Sequence, residues 1–233
     1  MEKETIIIIS SYPPKGTTHG MGVGGVASFA KNSMMPLTKN KKVIVLAEII
    51  DKQETYQEEG ITVVRCWKRN SFFVYWQLWK NVRNLDNNSD ILFQFEFAQF
   101  GGLLVTSVLP ILMVILRLNG YQVFTVIHQV VTDLKNLSGH LGLAKNSLRL
   151  KFFSLGLCLY FWLLSIVNTR IIVLGKEFSR RLINLGIPEN KIKVILHGVD
   201  TQLQVVDKDY AREKIGISKK EKVILFFGFL TWY

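Results

Sequence analysis

The chain has 233 residues, of which 48% are hydrophobic, and a formal net charge of +11. This length allows one large α/β domain or two small ones. Cys66 and Cys158 lie far apart in the chain, a spacing that favours neither a disulfide framework nor a zinc site and suits a reducing compartment. The positive charge favours anionic partners such as nucleic acid, acidic lipid or phosphorylated small molecules, the alternative being a scattered, solvated excess of lysine.

Short β-branched runs alternate with helical patterns along the chain. This alternation predicts an α/β fold with a Rossmann-like parallel sheet and helices on both faces. The first apolar run is too short for a signal sequence, so we expect a cytoplasmic protein. The predicted strands are Thr5–Ser10, Val43–Ala47, Thr62–Arg65, Ile91–Phe95, Val123–Ile127, Arg170–Leu174 and Lys193–Leu196.

The first helix is predicted from one apolar stripe with a 3.6-residue period, which Pro36 should kink or end. The stripe consists of Val26, Phe29, Ala30, Ser33, Met34 and Leu37. A later helix is predicted over Lys176–Leu185, with Gly186 as its stop signal. We expect that helix to bury Phe178, Leu182 and Ile183.

Three segments are expected. Residues 1–200 form the Rossmann-like domain, and residues 201–221 form a linker with a short helix, Tyr210–Ile215, capped by Asp207. Residues 222–233 form a continuous apolar run that is typical of a buried parallel strand. The sequence therefore predicts one domain followed by the first strand of a second domain.

A glycine-rich stretch supports two interpretations. Gly20, Gly22 and Gly25 form a G-x-G-x-x-G, with Glu48 at the end of the second predicted strand, as in a dinucleotide site. Against this interpretation, residues 11–19 separate the first strand from Gly20. In the dinucleotide fingerprint, the first glycine makes a tight turn directly after the strand. Alternatively, paired glycines just before a helix let a phosphate approach its free N–H groups. The loop in front, with its Pro and Gly residues, is expected to be long and flexible.

Several segments together resemble GT-B glycosyltransferases of the family-4 type. Ser11–Val26 resembles their N-terminal loop and helix, and Ile91–Gly102 resembles a fourth-strand motif with Gln and Glu before Phe-Gly-Gly. Thr125–His128 is similar to a T-x-x-H strand end, and Ile192–Asp200 to the K-I-x-V-I-x-N-G-V-D hinge motif. Phe226–Leu230 looks like the start of the nucleotide-binding domain.

The resemblance implies the N-terminal half of a GT-B fold and a retaining transferase for polysaccharide biosynthesis. Such an enzyme moves a hexosyl group from a nucleotide-sugar, which is a substrate rather than a cofactor, to a glycan or lipid-linked hydroxyl, usually without a metal. His197 stands where the family has Asn, and the E-x7-E motif of the second domain is absent. The chain is therefore expected to be the acceptor-side part of such an enzyme, an incomplete and inactive fragment. The alternatives are an NAD(P)-binding oxidoreductase and a non-catalytic binding fragment.

Candidate site residues follow from the motifs and the strand ends. Open α/β sheets place ligands at the carboxyl ends of their strands, which favours His128 and Glu96 as catalytic residues. Glu96 could bind the acceptor or orient His128. Donor or acceptor binding is expected at Gly24, Gly25, His19, Gln94, His197 and Asp200.

A membrane surface is a further expected partner. The segment Trp67–Arg83 mixes aromatic with basic residues at helical spacing, as in helices that lie on anionic lipid, the alternative being a helix packed on the sheet. Gly101–Leu116 and Phe152–Val167 are uncharged, but shorter than the roughly 20 residues of a spanning helix. We expect these to be buried or partly membrane-dipped, with peripheral binding at the inner membrane face. No nucleic-acid-binding motif is present, so nucleic acid is not an expected partner.

Overall fold

The computed structural model describes residues 4–18, 20, 23–85, 89–132, 134, 144, 147–198 and 205–225. The chain divides into two compact units, residues 1–197 and residues 198–233. The first unit is built on an eight-stranded sheet. Its strands are β1 (Thr5–Ile9), β2 (Lys42–Glu48), β3 (Glu54–Glu58), β4 (Ile61–Trp67), β5 (Asp90–Phe95), β6 (Gln122–Ile127), β7 (Arg170–Val173) and β8 (Ile192–Val194).

The strand order is β3-β4-β2-β1-β5-β6-β7-β8, and every neighbouring pair is parallel except β3 with β4. The chain leaves β1 towards β2 on one side and leaves β5 towards β6 on the other. The order therefore reverses between β1 and β5, and such a reversal opens a crevice at the carboxyl ends of the two strands. The Rossmann-like α/β architecture predicted from the sequence is confirmed, as are all seven predicted strands.

Helices cover both faces of the sheet, because alternate strand residues point to opposite sides. Helix α1 (Gly25–Met34) packs against the face that presents Ile8, Val43 and Val45. The opposite face presents Ile7, Ile9 and Phe93 to the remaining helices of this unit. These are α2 (Val74–Val82), α3 (Leu103–Ser107), α4 (Leu109–Leu118), α5 (Leu148–Val167) and α6 (Lys176–Asn184).

The two predicted helices of this unit are present, with one correction each. Helix α1 gives way to a 3-10 turn over Met35–Lys39, where Pro36 removes an N–H donor. Ala30 and Met34 of the expected stripe are buried, whereas Ser33 is exposed, and Ala27 and Lys31 are buried as well. Helix α6 ends before Gly186, which has φ +84°. It buries Leu182, whereas Ile183 is 39% exposed because it points away from the sheet.

The apolar stretches between residues 101 and 167 form helices α3, α4 and α5. Among the helices in the described ranges, α5 alone is long and apolar enough to cross a membrane, judged by length and composition. Its most apolar window has a mean hydropathy of 1.9, and 22% of that window is buried. Helix α5 therefore differs from a core helix, which would be mostly buried.

The second unit contains helix α7 (Lys208–Lys214), which confirms the expected short helix. The Asp207 carboxylate accepts the backbone N–H groups of Asp209 and Tyr210, both at 3.0 Å, and is the predicted cap. Gly216, at φ +73°, follows the end of the helix. In the predicted terminal strand, residues 222–225 have no strand pairing and residues 226–233 lie outside the described ranges, so that strand stays a prediction.

Candidate functional site

Gln94 and His128 form a side-chain pair at the carboxyl ends of two central strands. Strands β5 and β6 run in register, with Gln94 opposite Val126, and the backbone N–H of His128 donates to Phe95 O at 3.0 Å. The Oε1 atom of Gln94 lies 2.7 Å from Nε2 of His128. Gln94 is 1% exposed, so the strand holds it firmly while His128 sits just beyond the strand end. The pair is therefore placed beside the crevice where ligands enter folds of this kind.

His128 is neutral at physiological pH. Burial, together with a smaller charge repulsion from the nearby His197, lowers its pKa to about 4. A carbonyl oxygen can only accept a hydrogen bond, so Nε2 carries the proton that bonds Gln94. Nδ1 then keeps a lone pair that can accept a hydrogen bond from a hydroxyl group. A neutral, oriented imidazole is suited to binding a sugar or acceptor hydroxyl.

Phe29 connects the histidines to helix α1. Its ring meets the His128 ring edge-on, with centroids 4.9 Å apart, and meets the His197 ring in the same way at 5.2 Å. Phe29 lies one turn along the helix that begins at Gly25. The structure thus brings His128, His197 and the helix that follows the paired glycines into one cluster. Phe29 was expected only as part of an apolar stripe, and nothing in the sequence distinguished its role.

The first turn of α1 is sterically open at both glycines. A Cβ atom placed on Gly24 or Gly25 would meet nothing within 4 Å. Gly24 has φ −69° and ψ 151°, which any residue can adopt, and it caps the helix without a side-chain hydrogen bond. Among the described residues, neither crowding nor backbone strain requires glycine at these two positions, and the start of the helix is open to a ligand.

The loop before α1 is held by Arg65 over its described residues. The Arg65 guanidinium, which is 2% exposed, donates to Pro13 O at 2.6 Å, to Glu48 O at 3.1 Å and to Tyr56 Oη at 3.0 Å. These bonds tie the start of the loop to the ends of β2 and β4. Within the loop expected to be flexible, the carbonyl groups of Tyr12 and Pro13 are therefore anchored to a buried cation.

Lys31 fixes the same loop from the other side. Its Nζ atom donates to Thr17 O and to Glu58 Oε1, both at 2.9 Å, and the side chain is 2% exposed. The same Glu58 oxygen accepts the backbone N–H of Gly16 at 2.8 Å. Helix α1, the loop and edge strand β3 therefore meet at one ion pair. Lys31, Glu58 and Arg65 were not predicted as site residues, because nothing in the sequence around an isolated charged residue indicates that it is buried.

The other candidate residues that the structure describes are not part of the His128 cluster. Glu96 is exposed, and within the described ranges its carboxylate forms no hydrogen bond or ion pair. Gln94 rather than Glu96 makes the hydrogen bond to His128, because Gln94 lies within the strand and Glu96 lies beyond its end. His19, Gly22 and Asp200 lie outside the described residues. In the described part of the chain, no cluster of His, Cys, Asp and Glu could hold a metal ion.

A cavity of about 450 Å³ lies away from this cluster. It opens between α2 and the β3–β4 edge and is lined by Glu54, Arg65, Trp76 and Gln77, among others. Arg65 Nε and Glu54 Oε1 lie 3.5 Å apart there, and this ion pair accounts for part of the polar lining. The cavity contains neither His128 nor the glycines. The His128 cluster is the stronger candidate because it lies at the topological switch point.

Comparison with known proteins adds no assignment. No protein-family model matches this chain, and a search of curated proteins finds no match.

Proposed function

We propose that this chain contributes the acceptor side of a glycosyl transfer from a nucleotide-sugar to a hydroxyl group. The observation that carries the proposal is the cluster of Gln94, His128 and Phe29, beside an open helix N-terminus at the switch point of a Rossmann-like sheet. The resemblance of the chain to family-4 GT-B enzymes, carried by the same segments, supports it.

Each part of the cluster has a stated task in this proposal. The N–H groups of the first turn of α1 and its positive dipole end bind a phosphate oxygen of the donor. The Nδ1 of His128, which has no partner among the described residues, accepts a hydrogen bond from a hydroxyl of the sugar or of the acceptor. Gln94 keeps the imidazole in the required tautomer. In the reaction, the acceptor oxygen forms a bond to the anomeric carbon, the bond to the diphosphate oxygen breaks, and the acceptor proton leaves with the nucleoside diphosphate.

The oxidoreductase alternative receives less support. In the dinucleotide fingerprint, the first glycine turns directly from strand to helix. Here β1 ends at Ile9 and the helix begins at Gly25, with an anchored loop between them. Glu48 does lie at the end of β2, but its carboxyl group is partly buried beside Ser11 and Arg69, and burial raises its pKa. We therefore propose glycosyl transfer rather than hydride transfer.

Calorimetric titration with a panel of uridine and guanosine diphosphate sugars tests the proposal, together with an assay for release of the nucleoside diphosphate. We expect at least one nucleotide-sugar to bind. Gly25→Leu should reduce its affinity at least about tenfold, because a side chain at the helix start blocks the approach of a phosphate. Asn32→Leu, an exposed change on the same helix, is the matched control and should bind as the unmodified protein does.

The outcomes separate the three interpretations. Loss of affinity in Gly25→Leu and His128→Ala, with normal binding by Asn32→Leu, supports the glycosyltransferase site. Binding without release of nucleoside diphosphate, in the presence of added glycan acceptors, favours a non-catalytic binding role. Tight binding of NAD with no affinity for any nucleotide-sugar contradicts the proposal.

A further inference from the structure

Three helices present an apolar surface at the edge of the sheet where the strands end. We name this surface the apolar tip. Phe72 is 84% exposed, Leu104 is 75% exposed and Phe152 is 79% exposed, although large apolar side chains normally lie inside. The tip consists of Phe72, Phe73, Leu103, Leu104, Leu148 and Phe152, which lie just before or within the first turns of α2, α3 and α5.

Helix α5 extends beyond the sheet because it is longer than the strand it follows. Its 20 residues span about 30 Å, whereas the six residues of β6 span about 20 Å. Its last turn is fixed near the start of β7, where Asn168 accepts a hydrogen bond from Thr125 Oγ1 at 2.8 Å. The first turns therefore overhang the carboxyl edge of the sheet. Within Leu148–Gly156, Leu150 is the one buried residue.

The apolar tip is built on rigid contacts among its helices. The Asn70 side chain accepts the backbone N–H of Gly102 at 2.8 Å, which joins the segment before α2 to the start of α3. Tyr160 of α5 donates to Thr106 O of α3 at 3.2 Å. Phe72 and Leu104 line one apolar cavity of about 310 Å³. The exposed side chains of α2 and α3 thus lie on one surface, and α5 is tied to α3 by the hydrogen bond of Tyr160.

Positive charge borders this surface. The first turns of α5 carry Arg149 and Lys151, and the sequences of α2, α3, α4 and α5 contain no Asp or Glu. Lys68 and Arg69, both exposed, precede α2. An apolar protrusion with a cationic rim complements an anionic lipid surface. A second copy of this chain would bring the same cations face to face, which like charges disfavour.

We propose that the apolar tip inserts into the headgroup region of an anionic membrane while its Lys and Arg side chains bind the lipid headgroups. The exposed apolar side chains of the tip project separately, and a fluid bilayer can surround each of them. The tip lies at the edge of the sheet that also carries His128, so docking brings that edge towards the lipid. The proposal depends on the exposed surface alone and holds whatever reaction His128 serves.

Vesicle flotation of the full chain tests this proposal. The probes are vesicles of phosphatidylcholine alone and vesicles that also contain phosphatidylglycerol, at low and at high salt. We expect flotation with the anionic vesicles and much less with the neutral ones. The double variant Phe72→Ser/Phe152→Ser should bind at least about tenfold more weakly, because each phenyl ring loses its burial in lipid. Leu118→Ser is the control, because Leu118 is an exposed apolar residue in the last turn of α4, at the opposite edge of the sheet.

The charge contribution has its own variant. Lys68→Gln/Arg149→Gln/Lys151→Gln should weaken binding by about fivefold for each charge removed, and salt should abolish that difference. Lys39→Gln/Lys42→Gln/Lys52→Gln removes the same charge from exposed positions elsewhere and should bind as the unmodified protein does. This control separates local recognition from the net charge of +11.

Three results would overturn the proposal. One is an unmodified chain that stays unbound with anionic vesicles at low salt. A second is equal loss of flotation in the tip variant and in Leu118→Ser. The third is light scattering that shows a dimer which Phe72→Ser/Phe152→Ser dissociates in the absence of lipid, because the tip would then bind a second copy.

Discussion

The Oε1 atom of Gln94 lies 2.7 Å from Nε2 of His128, and this one hydrogen bond joins two central strands at the candidate site. It fixes which imidazole nitrogen carries the proton. Orientation of a neutral histidine by an amide, rather than by a carboxylate, keeps its basicity low.

Replacement of Gln94 should show that it positions His128. Gln94→Leu removes the acceptor and leaves a partly buried N–H without a partner, which should lower the free energy of unfolding by about 1–3 kcal/mol. Gln94→Glu restores an acceptor but adds a negative charge, so the pKa of His128 should rise. Urea unfolding and NMR titration of the His128 ring measure these effects. Gln53→Leu, at an exposed position, is the control, and an unchanged His128 titration in Gln94→Glu would contradict the assignment.

The low pKa of His128 predicts a pH-dependent stability. In the unfolded chain the imidazole has a pKa of about 6.5, whereas in the fold it has a pKa of about 4. Between these values the unfolded state binds more protons, so stability falls as the pH falls from about 6.5 to about 4. We expect roughly 2 kcal/mol less stability from this residue at pH 5 than at pH 7. Urea unfolding of the unmodified chain and His128→Phe at both pH values isolates this difference, and an equal pH dependence in the two proteins would refute it.

The Lys31–Glu58 pair should contribute strongly to the anchoring of the loop. Lys31→Met leaves the Glu58 carboxylate, which is 11% exposed, without its cation. Breaking one partner of a buried pair should cost about 3–5 kcal/mol of stability, whereas replacing both partners in Lys31→Met/Glu58→Leu should cost less. Lys41 pairs with the exposed Glu4, so Lys41→Met should have little effect on stability, because water screens such a pair. Thermal and chemical unfolding of the four proteins give this comparison, which fails if Lys31→Met and Lys41→Met are equally mild.

Replacement by alanine should destabilise the protein at Gly101 but not at the adjacent Gly102. Gly101 has φ +151°, and a Cβ there would lie 2.6 Å from Asn70 Oδ1 and 3.0 Å from Asn70 Cα. Gly101→Ala should therefore cost at least about 2 kcal/mol in strain and displaced contacts. Gly102 has φ −66° and open space around it, so Gly102→Ala should be nearly neutral. Calorimetric unfolding of both variants decides the point, and similar melting temperatures would contradict it.

The regular part of the fold was predictable because buried parallel strands carry continuous β-branched runs. Strands such as Thr5–Ile9 can therefore be recognised from the sequence alone. Strand β3, Glu54–Glu58, was missed because it is a polar, antiparallel edge strand with largely exposed side chains. Its pairing depends on β4, and no local pattern encodes it.

Part of the candidate site could be predicted, and part could not. Sequence analysis proposed His128, Gln94 and the paired glycines from their positions at strand and helix ends, and the structure places His128 near the first turn of that helix through Phe29. The anchoring of the loop could not be foreseen, because Arg65 lies 52 residues from Pro13 in the chain. Burial of a cation is decided by tertiary partners, which periodicity does not reveal.

The position of Glu58 has a mechanical consequence. This carboxylate belongs to an edge strand with one sheet neighbour, yet it holds both Lys31 of α1 and the N–H of Gly16. Loss of the β3–β4 pairing would therefore disturb the loop and α1 in the same event, because one carboxylate oxygen bonds to both. The contacts of Arg65 to Pro13 and of Lys31 to Thr17 do not depend on that oxygen. Two separate anchors thus hold this loop, and only one of them relies on the outermost strand.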